Sequence, residues 1–99
     1  MPRLGPRRLT EKRFLAQVRW YARLRGWRTY HTLTSKGSEP GFPDLVLARD
    51  GVLLIAELKT DTGRLTPEQA AWLSSFRACG IAASVWRPAD WEVIKNALD

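Results

Sequence analysis

The sequence is poor in cysteine and in long apolar runs, and both shortages limit the kind of protein that it encodes. A single cysteine, Cys79, excludes an internal disulfide and is typical of reducing compartments. No apolar run approaches the length of a membrane span, and the N-terminus lacks the apolar core of a signal peptide. We therefore expect an intracellular protein that is neither secreted nor embedded in a membrane.

Acidic residues are also scarce, since the chain has 10 Asp and Glu against 16 Lys and Arg and a net charge of +6. Nine of these cations lie between Arg3 and Arg28, where Glu11 is the only acid. So uneven a distribution indicates a polyanionic partner, although a solvated basic tail is the alternative. Nucleic acid fits better than a membrane surface because no clean basic amphipathic helix accompanies the charge.

The chain is short, and its 99 residues are enough for one domain with a single core. Residues 1–9 contain two prolines, a glycine and three arginines, so we expect a basic flexible arm there. Residues 10–99 are predicted to form the folded domain. Because so small a domain is marginally stable alone, self-association or an obligate partner is also expected.

A hairpin with charged residues is the most informative part of the sequence. The apolar residues 45–47 and 54–56 flank Asp50-Gly51, which favours a two-residue type I′ turn because both central residues need positive φ. Counting outward from that turn places Asp44 opposite Glu57, with Lys59 on the same face. A three-residue loop with a bulge would shift this count by one residue and separate the two carboxylates.

Two carboxylates that face each other among apolar residues are costly, because like charges repel and both are partly desolvated. A divalent cation offsets this cost, and Mg²⁺ is the usual choice where a substrate brings phosphates. The alternative is that Asp44 is an ordinary turn residue and that Glu57 and Lys59 form a salt bridge on an edge strand. Strands that are apolar on both faces fit an edge position poorly.

The first helix is predicted from Glu11 to about Arg25, with Thr10 as N-cap and Gly26 as the stop. Its predicted apolar face consists of Phe14, Leu15, Val18, Tyr21 and Ala22. Glu11 projects near the middle of this face, which directs an acid toward the core; the alternative is a first-turn acid favoured by the helix dipole. The opposite side carries Lys12, Arg19 and Arg23, which suit phosphates or water alike.

The next strand is predicted over residues 27–33, and a polar loop follows it. Ser35 and Lys36 in this loop are candidates for a phosphate contact, although such loop residues are usually only solvated. His31, the only histidine, is more often a structural residue than a catalyst in such a position.

The second helix begins at Thr66-Pro67, with Thr66 as N-cap and Gln69 at the position of a capping-box partner. Gln69 also shares a face with Trp72, Leu73 and Phe76, which we expect to pack on the sheet. Capping and a place in the site therefore both remain open for Gln69.

The order of elements is helix, strand, strand, strand, helix, strand, helix. The segment between the Glu57 strand and a last strand over residues 82–87 is long enough for a βαβ crossover. This order predicts an α/β fold with a mixed sheet flanked by helices.

Taken together, Asp44, Glu57-Leu58-Lys59, the acid of the first helix and Gln69 of the second resemble the PD-(D/E)XK nuclease superfamily. More narrowly, the chain resembles the virus-type replication-repair nuclease (VRR-NUC) domain. The resemblance extends over nearly the whole chain, through Gly41-Phe42-Pro43, Gly63 and Trp72 to the late residues 85–88. It implies a restriction-endonuclease-like core, of the order αβββαβ plus a C-terminal helix.

The resemblance also implies roles for individual residues. Asp44 and Glu57 would bind Mg²⁺ or Mn²⁺, the Leu58 carbonyl would complete the shell, and Glu11 would contribute directly or through water. Lys59 and Gln69 would support the nucleophile. The expected nucleic-acid contacts are Arg7, Arg8, Lys12, Arg19, Arg23, Ser35 and Lys36.

The implied activity is metal-dependent hydrolysis of phosphodiester bonds in DNA by a structure-specific endonuclease, which acts as a homodimer on branched substrates such as a Holliday junction. Replication, repair or recombination in the cytoplasm of a bacterial or virus-infected cell would be its setting. Two alternatives are a DNA-binding or assembly module of the same fold without turnover, and an RNA-processing endonuclease.

Overall fold

The computed structural model describes residues 9–33 and 37–99, and the predicted order of elements is confirmed. Arg7, Arg8, Ser35 and Lys36 lie outside the described residues. The elements are α1 (Glu11–Leu24), β1 (Arg28–His31), β2 (Leu45–Arg49), β3 (Val52–Leu58), α2 (Pro67–Ala78), β4 (Ala82–Trp86) and α3 (Trp91–Leu98), with a short 3₁₀ turn at Pro88–Asp90.

Both long helices begin where the sequence predicted. Thr10 caps α1 by accepting a hydrogen bond from the Arg13 amide at 3.1 Å. Thr66 and Gln69 form a reciprocal capping box at the start of α2. At the other end of α1, the helix passes into Gly26, whose φ of +86° is the left-handed conformation that favours glycine.

The first strand is shorter than residues 27–33. Trp27 is buried and belongs to the end of α1, because its amide donates to the Ala22 carbonyl at 3.0 Å and its indole donates to the Leu98 carbonyl at 2.8 Å. Regular pairing stops at His31, although the Thr32 amide still donates to the Asp44 carbonyl at 2.9 Å. This last bond ties Asp44 to the end of the sheet.

The sheet is mixed and has the order β1-β2-β3-β4, with antiparallel pairs up to β3 and a parallel pair between β3 and β4. Helix α2 forms the crossover between the two parallel strands. Strands β2 and β3 are therefore central, so the edge-strand interpretation of Glu57 and Lys59 is wrong.

The hairpin turn has the predicted type. Asp50 has a φ of +48° and Gly51 a φ of +81°, as a type I′ turn requires. Arg49 pairs with Val52, and the register runs without a bulge to the pair of Leu45 and Ala56. The next pair outward in this register is Asp44 and Glu57.

Helices cover both faces of the sheet. Leu45, Leu47, Ala56 and Leu58 face α1 and α3 in the larger core, together with Phe14, Val18, Ala22, Trp27, Trp86, Ile94 and Leu98. Ile55, Leu73 and Ala83 form the second core on the α2 side, with Val46, Phe76 and Val85 packed against them. Because side chains alternate along a strand, Glu57 lies on the α2 side with Ile55, whereas Asp44 precedes β2 at the end of the sheet.

The buried face of α1 differs from the prediction at three positions. Gln17 is buried beside Phe14, Val18 and Ala22, whereas Leu15 and Tyr21 are only partly buried. Among the helices of the described residues, none is long and apolar enough to cross a membrane.

The segment that leads into Asp44 packs tightly on the N-terminus of α2. A Cβ atom at Gly41 would lie 2.6 Å from the Glu68 carbonyl carbon and 2.8 Å from the Gln69 nitrogen, and Gly41 has a φ of +86°. Phe42 packs edge-to-face on Trp72, with ring centroids 5.1 Å apart. Helix α2 thus positions the chain just before Asp44.

We predict that Gly41→Ala destabilises the protein by about 2–4 kcal/mol, because left-handed strain and a backbone clash add together. Gly37→Ala is the matched control, since Gly37 has a φ of +80° but nothing within 4 Å of the added Cβ. It should cost only about 1 kcal/mol. Urea unfolding followed by circular dichroism measures both, and equal losses would contradict the close approach.

Candidate functional site

The predicted site lies at the end of the sheet where β2 begins and β3 ends. Asp44 precedes β2, and its Oδ2 accepts a hydrogen bond from the Leu58 amide at 2.8 Å. Glu57 is the penultimate residue of β3 and is only 2% exposed. Lys59 follows β3 directly, and its Nζ lies 3.5 Å from Glu57 Oε2. The hairpin register therefore brings Asp44, Glu57 and Lys59 together, as the sequence predicted.

The Glu57 carboxyl is held in an unfavourable environment for a charge. Its Oε1 is buried and has no hydrogen-bond partner among the described residues. The pKa of Glu57 is raised from its ordinary 4.5 to about 7, first by burial and then by the neighbouring Asp44 charge and a hydrogen bond with Asp44, against the lowering effect of Lys59. The protein alone thus offsets only part of the free-energy cost of ionising this carboxyl.

An unpaired buried carboxylate oxygen is the observation that best tests the fit of a metal ion. A hard divalent cation takes oxygen ligands, and Mg²⁺ keeps several waters, so a few protein oxygens are enough. Asp44 and Glu57 provide such oxygens on adjacent central strands. The residues present therefore fit a divalent cation.

Glu11 does not join these carboxylates in a metal-binding group. Within residues 9–33 and 37–99, no group of three or more His, Cys, Asp or Glu side chains is arranged to hold a metal ion. The reason is topological: α1 lies on one face of the sheet, whereas Glu57 lies on the other. Asp44, at the end of the sheet, is the residue that both sides share.

Glu11 and Asp44 instead line a common cleft of about 270 Å³, which we call the carboxylate cleft. Its lining residues are Glu11, Lys12, Leu15, His31, Thr32, Leu33, Asp44 and Leu58. Glu11 is exposed, so the prediction that it points into the core is wrong. Glu11 is the first residue of α1 and lines the cleft at the end of the sheet.

The basic residues of α1 are divided between two surfaces. Lys12 lines the carboxylate cleft beside Glu11. The sequence had placed Lys12 on the side of α1 opposite to Glu11. Arg19 and Arg23 line a separate groove on the outer side of α1, with Ala16, Trp20 and Leu24. Arg19 Nε has no hydrogen-bond partner among the residues that the structure describes. Both arginines are thus positioned on the surface that the sequence assigned to phosphates or water.

Gln69 has the capping role that the sequence allowed. Its Oε1 accepts from the Thr66 amide at 2.9 Å, and its own amide donates to Thr66 Oγ1 at 3.1 Å. The approach of Gly41 to the Gln69 nitrogen also places this helix end beside the segment that carries Asp44. The capping is confirmed, whereas a catalytic contribution from Gln69 stays a prediction.

Sequence reasoning gave no separate role to Arg87. Its Nη1 donates to the carbonyls of Thr60 and Gly63, which belong to the turn directly after Lys59. Nothing in the local sequence reports a contact between residues more than 20 positions apart. The only available signal was the place of Arg87 in the motif 85–88.

The family model of the VRR-NUC domain matches residues 7–90. This chain belongs to the VRR-NUC family. It is therefore a nuclease domain. The predicted family is confirmed, and so is the predicted α/β fold with a mixed sheet flanked by helices.

One solved structure shows the same fold as this VRR-NUC domain. A structure described as a VRR_NUC domain protein superposes with a TM-score of 0.72 at 24% identity, covering 92% of this chain and 87% of its own. Hjc, a Holliday junction resolvase of Archaeoglobus fulgidus, has a TM-score of 0.49 at 24% identity, covering 79% of this chain and 65% of its own. Comparison with curated proteins gives no significant match.

We predict that the metal-free VRR-NUC domain loses stability as the pH rises from about 4.5 to about 7, because the folded state holds the Glu57 proton more tightly than the unfolded state. The loss should level off above that range and amount to at most about 3 kcal/mol. Glu57→Gln should remove it, so the variant becomes more stable than the parent at pH 8. Urea unfolding in EDTA across this pH range measures the difference.

Glu92→Gln is the matched control, because it removes one carboxyl from an exposed position of α3. Addition of Mg²⁺ or Mn²⁺ at pH 8 should stabilise the parent more than Glu57→Gln, since the ion requires the ionised carboxylate. A pH profile of Glu57→Gln that parallels the parent would contradict this account of Glu57.

Proposed function

We propose that this domain is a Mg²⁺- or Mn²⁺-dependent DNA endonuclease that hydrolyses phosphodiester bonds. The observation that carries the proposal is the buried Glu57 carboxylate, which faces Asp44 and keeps one oxygen unpaired. A folded protein rarely tolerates such a group without a function. Asp44, which faces Glu57, lines a cleft that also contains Lys12, and this supports a phosphate substrate.

Asp44 and Glu57 would hold the metal ion, with the Leu58 carbonyl as a further oxygen. Glu11 would act from the opposite wall of the carboxylate cleft, and its separation from Glu57 favours a contact through water. When bound, a divalent ion supplies a water of lowered pKa and neutralises charge on the phosphate. Besides binding the metal, Asp44 accepts a hydrogen bond from the Leu58 amide through its Oδ2, and this bond fixes the orientation of its carboxyl group.

Lys59 would orient the attacking water or stabilise negative charge that develops on the phosphate. Its side chain is 14% exposed, and its amine is held near Glu57. The nearby ammonium of Lys59 lowers the pKa of Glu57 and so favours its ionised form. Gln69 would assist from the α2 N-terminus, next to the segment before Asp44.

The DNA would run from the carboxylate cleft along α1. Lys12, Arg19 and Arg23 are spaced at i, i+7 and i+11, so they follow one side of the helix over about 16 Å. Lys12 lines the carboxylate cleft at one end of this row, and Arg19 and Arg23 line the separate outer groove further along it. Trp20, which is 40% exposed, lies beside Arg19 and Arg23. Arg7, Arg8, Ser35 and Lys36 remain proposed contacts outside the described residues.

The proposed substrate is branched DNA such as a four-way junction, and the proposed assembly is a homodimer. The support is the family resemblance together with the small size and net charge of +6. A dimer would supply two cleavage sites to a substrate with two equivalent strands.

A cleavage panel tests the proposal directly. Single-strand, duplex, flap and four-way-junction DNA, with an RNA junction alongside, are incubated with the protein in Mg²⁺, Mn²⁺ or EDTA. We expect metal-dependent cutting that is fastest on a branched DNA. Asp44→Asn should lower the single-turnover rate by about 100-fold or more, because a metal ligand is lost.

Asp50→Asn is the matched control, because it makes the same change on the same hairpin at a turn position where Asn tolerates positive φ. It should cut like the parent. DNA binding without cleavage of any substrate would instead identify an assembly module, and preferential cutting of the RNA junction would identify an RNA-processing enzyme.

A second prediction concerns the row on α1. With Ca²⁺ in place of Mg²⁺, the double variant Arg19→Ala and Arg23→Ala should bind the junction about tenfold more weakly. The slope of log Kd against log salt concentration should fall by about 1–2. The double variant Lys95→Ala and Arg77→Ala is the charge-matched control, because both residues lie away from this row. Fluorescence anisotropy measures the Kd of both double variants. An unchanged salt dependence in the α1 variant would remove this surface from the DNA path.

A further inference from the structure

The turn after β3 lies over the side chain of Lys59. The Lys59 amide donates to the Trp86 carbonyl at 3.0 Å, and the Gly63 amide donates to the Thr60 carbonyl at 3.2 Å, which closes the turn. A Cβ atom at Gly63 would lie 3.5 Å from Lys59 Cδ and 3.1 Å from Thr60 Oγ1. The backbone of the turn is therefore close to the alkyl chain of the lysine.

Arg87 holds both ends of this turn. Its Nη1 donates to the Thr60 carbonyl at 2.6 Å and to the Gly63 carbonyl at 2.7 Å. Both bonds come from a cation and are therefore stronger than bonds between neutral groups. A further bond runs from the Ala89 amide to Asp61 Oδ1 at 3.0 Å. The segment after β4 thus fixes the turn.

A lysine side chain has four rotatable bonds, and an exposed one samples many rotamers. Lys59 is 14% exposed and has its amine 3.5 Å from Glu57 Oε2, beyond ordinary hydrogen-bond distance. That contact alone is too long to define one rotamer. Packing of the turn against the lysine stem is the other constraint on where the amine lies.

We propose that Arg87 is a positioning residue for Lys59: by binding the Thr60 and Gly63 carbonyls it keeps the turn packed on the lysine and holds the amine at the site. The proposal rests on the proposed function, in which Lys59 assists hydrolysis. Arg87 itself is not assigned any contact with the substrate. Its effect on cleavage is expected to pass entirely through Lys59.

A double-mutant cycle distinguishes positioning from general structural support. Single-turnover cleavage is measured at saturating DNA and metal for the parent, Arg87→Ala, Lys59→Ala and the double variant. Arg87→Ala should lower the rate about tenfold or more without changing the Kd for DNA in Ca²⁺. In the Lys59→Ala background the same substitution should change the rate less than about twofold. Effects that multiply in the double variant would overturn the proposal.

Arg77→Ala is the matched control, because Arg77 Nε also donates to a backbone carbonyl, that of Ala83, at 2.7 Å, but at the far end of β4. It should lower the melting temperature and leave the cleavage rate of the folded protein near that of the parent. Where Arg87→Ala does not fold, Arg87→Lys replaces it, since the ammonium keeps the charge but lacks the geometry of the guanidinium.

A readout without cleavage separates this proposal from the proposed function. Reductive methylation of the folded, metal-free protein is followed by mass spectrometry, with Lys95 as the internal reference. Arg87→Ala should raise the labelling rate of Lys59 relative to Lys95 several-fold, and Arg77→Ala should not. An unchanged rate for Lys59 would overturn the proposal, whether or not the parent cleaves DNA.

Discussion

The repulsion between two carboxyl groups on adjacent central strands is the constraint on which the site depends. The type I′ turn at Asp50-Gly51 sets a register without bulges, and that register brings Asp44 opposite Glu57. Because Val46 and Ile55 occupy the same face, water is largely excluded and the pKa of Glu57 rises to about 7. The geometry of one hairpin turn, several residues away from the charges, therefore imposes an unfavourable pairing of carboxyl groups that sheets ordinarily lack.

The rest of the fold keeps this pair in place and gives access to it. Helix α2 supports the segment before Asp44 through Gly41 and Phe42, and so fixes where β2 begins. Helix α1 covers the other face of the sheet and contributes Glu11 and Lys12 to the cleft that reaches Asp44. Asp44 thus connects an accessible cleft with a buried carboxylate. A cation bound there would be reached from the α1 side and held from the α2 side.

Local signals in the sequence were sufficient to predict most of the fold. Turn chemistry predicted the hairpin register, and caps predicted where α1 and α2 begin, because each depends on neighbouring residues. The position of Glu11 was mispredicted because helical periodicity gives a direction around the axis but not where the core ends. Gln17 was missed because a polar residue gives no signal of burial. The contacts of Arg87 depend on the approach of two distant segments, which no local pattern encodes.

The parallel pairing of β3 with β4 has a kinetic consequence for assembly of the site. Strands β1 to β3 pair through neighbours in sequence, so the two carboxylates can meet early, at low loop-closure cost. Lys59 is fixed only when its amide bonds to Trp86, after a crossover through the whole of α2. This topology favours formation of the acidic half of the site before its counter-charge is secured.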